Sequence, residues 1–305
     1  DTILMSGDQH LRSSTLGIIS ELAKTFPSEH SLKMFRKICF NRVFEYEAKR
    51  VYDLGLMKLP LYLSVGQEHI PASISTVFSD CLIFAQHRAH SIYLSFGGDP
   101  LKLIDELLHR NTGCAGGMGG SASIHSPEIG MFGHSGFMGD QIPIAVGAAL
   151  GSGKKVLAVM GDASAEEDYI YGALGFASTK QLPILFVCED NDLSILTRTP
   201  VRRNWKVTDV AKALGIPSVD ITDDPWLIAH HVRDLSTRLP AFINIRTCRN
   251  LWHAGTGCDG PPEWNRYNLI KETLLELGLE KAAQTIEFEV EKAVKEQWEK
   301  QLQMS

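Results

Sequence analysis

A chain of 305 residues accommodates one large α/β domain with appendages, or at most two domains. Its 30 Lys and Arg against 36 Asp and Glu leave a net charge of −6, and no basic stripe is present, which argues against a general affinity for nucleic acid. Hydrophobic content of 44% with 22% charged residues suits a globular core, and neither an apolar run of membrane-spanning length nor an opening signal sequence is visible.

The six cysteines are scattered without CxxC spacing, several inside apolar runs. That usage fits a reducing compartment and a cytoplasmic enzyme, and argues against a disulfide framework or a zinc site.

Taken in order, residues 1–30 read as a polar arm with one possible helix over 16–25. Residues 31–260 read as the α/β domain, and 261–305 as a charged helical tail that packs on a partner. A helix is expected over 31–54, capped by Ser31, with Leu32, Phe35, Ile38, Val43 and Phe44 on a wide apolar stripe. Gly66-Gln67-Glu68 follows, then a strand over 80–85 that ends in Gln86-His87-Arg88-Ala89-His90. Two histidines there are not enough for a metal without a third ligand.

Residues 113–125 are too rich in glycine for a helix or strand interior, so they form a loop that exposes backbone. It is no dinucleotide fingerprint, because it neither leaves a strand nor opens a clear helix. A second turn-rich stretch, 133–143, leads into a helix over 144–150. The stretch 147–155 resembles a phosphate-binding loop only superficially, since Lys155 stands where Ser or Thr is needed and a strand follows it.

Residues 156–193 carry the clearest pattern. An apolar run over 156–160 stops at Gly161-Asp162. A helix is expected over 166–180, and a second apolar run over 184–187 stops at Glu189-Asp190-Asn191. This is a βαβ unit, so both acidic turns emerge at the carboxyl edge of parallel strands, where open α/β sheets bind ligands. A carboxylate at Asp162, an amide oxygen at Asn191 and a backbone carbonyl are hard ligands that suit Mg2+ bridged to phosphate. Beyond them come a polar loop with Arg198, Arg202 and Arg203, helices over 207–214 and 224–238, a strand over 241–246, and a loop over 247–259.

Gly161-Asp162-x followed by Asn191 is similar to the metal–diphosphate motif of thiamine-diphosphate (ThDP) enzymes. The surrounding text, LPILFVCEDN, resembles the alpha subunits of the 2-oxo acid dehydrogenases of pyruvate, branched-chain and acetoin type. The entry helix, Gly66-Gln67-Glu68, Arg88, the loop with Gly117, Gly119, Gly120 and Ser121, the run Gly136, Gly139, Gln141 and Pro143, and Arg249, His253 and Asp259 match in the same order.

The resemblance implies a ThDP-binding α/β fold with a mostly parallel sheet and helices on both faces. It implies Mg2+ on Asp162, Asn191 and the Leu193 carbonyl. The diphosphate and ring contacts would come from His87, Arg88, Gly161, Ala163, Ser164 and Asn191, with Gly136 and Met138 at the aminopyrimidine. His253 would serve as acid or base. The chain departs from the family at Ala163 (usually Gly), Tyr62 (often His), His87 (Tyr), Met118 (Lys) and Ser123 (His).

The activity implied is decarboxylation of a 2-oxo acid, or cleavage of an acyloin, with transfer of the acyl unit to a lipoyl group on an acyltransferase component. In the family resembled, the activating glutamate comes from a beta-type subunit in an α2β2 heterotetramer. The departures keep a carboligase of the same architecture open, and Ala163 keeps open a catalytically silent regulatory or scaffold subunit. No GxGxxG follows a strand, which disfavours a nicotinamide enzyme.

Overall fold

The computed structural model describes residues 21–58, 60–254 and 265–304. Six strands, β1 (Leu82–Phe84), β2 (Met131–Phe132), β3 (Val156–Gly161), β4 (Ile184–Asp190), β7 (Ser218–Thr222) and β8 (Ala241–Arg246), form one sheet in the order β2-β1-β3-β4-β8-β7. Every pairing in it is parallel. Two short strands, β5 (Leu193–Ser194) and β6 (Thr197–Arg198), make a separate antiparallel hairpin.

The apolar runs of β3 and β4 are continuous because helices cover both faces of the sheet. Side chains alternate between faces along a strand. Leu157, Val159, Leu185 and Val187 enter one apolar core, while Val156, Ala158, Met160, Ile184, Phe186 and Cys188 enter the other. The first core also holds residues of helices α1 (Ser28–Asp53), α2 (His69–Ile74), α3 (His90–Ser95) and α4 (Pro100–Leu107). The second is closed by α5 (Gln141–Ser152), α6 (Asp168–Lys180) and, beyond the short α7 (Thr199–Arg202), by α8 (Val207–Ala213). The remaining helices, α9 (Pro225–Leu235), α10 (Arg266–Glu276) and α11 (Glu280–Gln303), join the first core.

Several expected boundaries move. Helix α1 starts at Ser28 behind Pro27, so Ser31 lies inside it; its hydroxyl accepts the Trp226 indole N–H at 3.0 Å instead of capping. Helix α5 runs from Gln141 to Ser152 and ends at Gly153, whose φ of 65° places it in the left-handed region that closes helices. Between Asp162 and α6 the chain makes a 3-10 turn, Ser164–Glu166, so that helix begins at Asp168.

The charged tail does not keep its apolar face for a partner. Ile286, Val290, Val294 and Trp298 of α11 are buried in the first core, with the Trp298 ring 5.2 Å from that of Phe44 on α1. Amphipathic periodicity specifies a buried stripe but not the surface that buries it. Residues 1–20, Cys258 and Asp259 lie outside the described residues, as does most of the helix expected over 16–25, of which Glu21–Thr25 forms a 3-10 turn.

Candidate active site

The β3–β4 register places Gly161 opposite Glu189, so Asp162 and Asn191 leave neighbouring strands at one carboxyl edge. Asp162 is 2% exposed. The Asn191 side-chain amide donates to Gln67 Oε1 at 3.0 Å, and its oxygen accepts the Leu193 N–H at 3.1 Å, an Asx turn that opens the β5–β6 hairpin. Gln67 reaches this edge because Gly66, at φ 95°, lies against Cys248 and Asn250; a Cβ there would stand 2.3 Å from the Cys248 carbonyl. A glycine in the Gly-Gln-Glu turn is therefore required by both conformation and space.

The hairpin and α7 return two arginines to Asp162. Arg202 forms an ion pair with its carboxylate, and Arg203 donates to its backbone carbonyl at 2.8 Å and to Glu166 at 3.0 Å. Thr199 Oγ1 lies 3.5 Å from the same carboxylate oxygen. Burial and the neighbouring Asp190 carboxylate push the Asp162 pKa up, while Arg202 and Arg203 pull it back. A buried carboxylate beside another carboxylate calls for a cation, and in this chain the Arg202 guanidinium supplies one.

The donor types fit Mg2+. Among the described residues no group of three or more His, Cys, Asp or Glu is placed to hold a metal. The candidate set is one carboxylate, one amide oxygen and one carbonyl, which is a hard-cation set and unsuited to zinc. Ala163 has right-handed helical torsions, φ −73° and ψ −39°, so its methyl group imposes no backbone strain in place of glycine. Ser164 is buried beside it, 3-10 turn and strand end together forming the wall of the edge.

A second cluster stands where β1 ends. The rings of Tyr62 and His253 lie 5.0 and 5.5 Å from His87, and His134 lies 5.9 Å from it. Arg88 is buried and donates to the carbonyls of Leu63 at 2.7 Å and His253 at 3.2 Å. Its second contact with His253 is at Nδ1, 3.3 Å away, and Arg249 approaches the same nitrogen at 3.4 Å. Guanidinium nitrogens only donate, so Nδ1 accepts and the proton of the neutral ring sits on Nε2. Burial, then Arg88 and Arg249, hold the His253 pKa down to about 4. At neutral pH the His253 ring is therefore neutral, with its proton on Nε2. Burial and Arg88 likewise keep His87 well below the usual range.

The first glycine loop does something the sequence does not reveal. Glu106 at the end of α4 is fully buried, and its two oxygens accept the backbone N–H groups of Ala115, Gly117, Gly119 and Gly120 at 2.7 to 2.9 Å. The amides are filled from within the chain. Ser121, at the end of the loop, accepts the Tyr62 N–H at 2.8 Å and meets His90 Nε2 at 2.9 Å, with His90 Nδ1 3.1 Å from Glu45. The loop thus positions Tyr62 from behind.

The second glycine stretch is more open. Gly136, φ 112°, and Met138 are both exposed, and the Met138 carbonyl accepts the Tyr169 hydroxyl. Sequence reasoning passed over Gln86 and Glu189, whose buried side chains bond to each other beside Arg88. Burial raises the Glu189 pKa to about 7. Their only sequence signal was position, one residue before His87 and two before Asn191.

Residues 42–233 match the family model described as the dehydrogenase E1 component. The mitochondrial pyruvate dehydrogenase E1 component subunit alpha of Pisum sativum is 32% identical over 187 residues, covering 59% of this chain and 47% of that protein. The corresponding subunit of Zymomonas mobilis is 30% identical over 200 residues, covering 63% and 56%. That of Rickettsia bellii is 26% identical over 244 residues, covering 74% and 73%. The chain thus spans about half the length of the Pisum and Zymomonas relatives.

Among solved structures, transketolase from Campylobacter jejuni superposes with a TM-score of 0.57 at 16% identity, over 92% of this chain and 49% of that one. Transketolase from Leishmania mexicana gives 0.53 at 12%, over 92% and 48%. At such identity the likeness concerns the fold. The family match spans the whole stretch from Arg42 to Arg233, including both strand ends that carry Asp162 and Asn191, and the chain belongs to the dehydrogenase E1 component family.

Proposed function

We propose that this chain is the alpha-type half of a ThDP- and Mg2+-dependent enzyme that decarboxylates a 2-oxo acid and passes the acyl unit on, to a lipoyl group in the leading reading. The observation that carries it is the pairing of Asp162 with Asn191 at adjacent parallel strand ends, one a buried carboxylate neutralised by Arg202, the other held by Gln67. Asp162, Asn191 and the Leu193 carbonyl would hold Mg2+. Arg88, His87, Gly161, Ala163 and Ser164 would line the diphosphate side, and Gly136 with Met138 the ring side. Bound there, ThDP supplies the carbanion chemistry of decarboxylation. The chain's own part is to neutralise and fix the anion, to shape the pocket with Tyr62 and His87, and to offer the His253 N–H to oxygen.

A beta-type partner would complete the site, in an α2β2 assembly. Phe137, 75% exposed on the second glycine stretch, and Val201, 79% exposed on α7, support a covering surface there. A carboligase is the second reading. It is favoured by Tyr62, whose phenol stands against His87 and His253 and does not take up a proton near pH 7.

The test is co-purification with the neighbouring beta-type subunit followed by titration with ThDP and Mg2+. Asp162→Ala is expected to weaken binding by roughly 100-fold or more. A screen of 2-oxo acids with and without a lipoyl acceptor then separates the dehydrogenase from the carboligase. Absence of binding in the assembled protein would overturn the enzyme reading in favour of a silent subunit.

A further inference from the structure

His134 is unusual among the polar groups of the site. Its backbone is pinned, since the His134 carbonyl accepts the Ser123 hydroxyl at 2.8 Å. Its ring is oriented too, because Nδ1 accepts the Gly136 N–H at 2.7 Å. That bond requires a lone pair on Nδ1, so the neutral ring carries its proton on Nε2. Burial lowers its pKa against the opposing pull of Asp140, which keeps the ring neutral. Nε2 is nevertheless buried with no hydrogen-bond partner, and so is Nε2 of His87, on a ring 5.9 Å away.

Buried polar atoms without partners are few in folded proteins, and an unsatisfied donor costs about 1–3 kcal/mol. Two on rings packed edge to face mark a place that something outside the chain fills. The His134 donor is oriented from two sides before any ligand arrives, which is the arrangement that makes a hydrogen bond effective in binding. Across His87 lie His253 and, behind it, the guanidinium groups of Arg88 and Arg249. An N–H donor in a cluster that also holds two guanidinium groups suits a small group rich in anionic oxygen.

Resting on the function proposed above, we infer that His134 is a substrate-specificity residue whose Nε2–H donates to a carboxylate oxygen of the 2-oxo acid, with His87 on its flank. The diphosphate is served by the Asp162–Asn191 edge, and His134 has no part in holding it.

The test uses the protein assembled with its beta-type partner, Mg2+ and ThDP, and a panel from pyruvate to branched 2-oxo acids. For the acid that is turned over, His134→Ala raises KM about ten-fold, with kcat and the ThDP dissociation constant within about two-fold of the parent. His134→Gln, which retains an N–H donor, restores most of the loss, and matching melting temperatures show that both variants fold. In the histidine-labelled protein, nitrogen NMR reports the Nε2–H tautomer of His134, and its signal moves on addition of pyruvate to the ThDP-bound form. An unchanged KM with intact ThDP affinity overturns the inference alone and leaves water as the partner of Nε2. A signal that moves with ThDP and Mg2+ only, or a ThDP dissociation constant raised along with KM, assigns His134 to the cofactor and also overturns it. Failure of the parent assembly to bind ThDP overturns the proposed function, and this inference with it.

Discussion

The two glycine-rich stretches of this chain read alike in sequence and do opposite things in the fold. Residues 113–121 turn four backbone N–H groups onto Glu106, a carboxylate of the same chain. Residues 133–139 leave Gly136 and Met138 exposed and a histidine nitrogen without a partner. Glycine density marks backbone that can approach something closely, but not whether that something is a ligand. The first stretch is architecture that supports Tyr62 through Ser121, and the second leaves its backbone open.

The sharpest way to break this contrast is to remove the internal anion. Glu106→Ala strips four N–H groups, one buried and three part-buried, of their acceptor and is expected to cost about 4 kcal/mol, seen as a melting temperature lower by roughly 10 °C. A loss under about 1 kcal/mol would mean that water or a ligand readily replaces Glu106, and the loop would then be a binding cradle after all.

A second buried carboxylate sharpens the comparison. Glu189 is buried like Glu106, but among the described residues its side-chain hydrogen bond is the one from Gln86. Burial raises its pKa from 4.5 to about 7, so the folded chain holds a proton there that the unfolded chain releases at lower pH. The stability from that proton is fully present below pH about 4.5 and is lost as pH rises through about 7, a swing on the order of 3 kcal/mol. Glu189→Gln should remove this dependence. Melting curves from pH 5 to 8 should show the variant gaining on the parent as pH rises, and parallel curves would contradict the account.

Gly119 and Gly136 allow a smaller test. A Cβ at Gly119 would stand 2.1 Å from the Ser123 carbonyl, whereas one at Gly136 meets nothing within 4 Å and is opposed only by φ of 112°. Gly119→Ala should therefore cost more than Gly136→Ala, by about 1–2 kcal/mol in denaturant melts. The smallest expected effect is at His253, whose titration by NMR should have its midpoint near pH 4. Arg249→Gln should raise that midpoint by less than about one pH unit, since burial is the larger cause.

Much of this molecule was legible in its sequence, for identifiable reasons. The βαβ unit from Val156 to Asp190 could be read because continuous apolar runs and acidic stops are local signals. Its two strand ends then fixed the candidate metal edge, and the resemblance supplied roles that spacing alone does not. Other features could not be read. Glu106 and Glu189 are single carboxylates whose meaning depends on what folds over them. Trp298 lies on a stripe that would look the same whether α1 or another protein covered it. The orphan nitrogen of His134 exists only because Gly136 takes the other one, and a hydrogen bond two residues long leaves no periodic trace.

On the function proposed above, an anionic ligand is held at the Asp162–Asn191 edge while the Glu106 loop remains closed on itself. The most direct measurement is a crystal structure of the assembled protein with Mg2+ and ThDP. The diphosphate and metal are expected against Asp162 and Asn191, with the Arg202 ion pair released and Glu106 still bound to the amides of residues 115–120. A diphosphate seated on those amides with Glu106 displaced would contradict this.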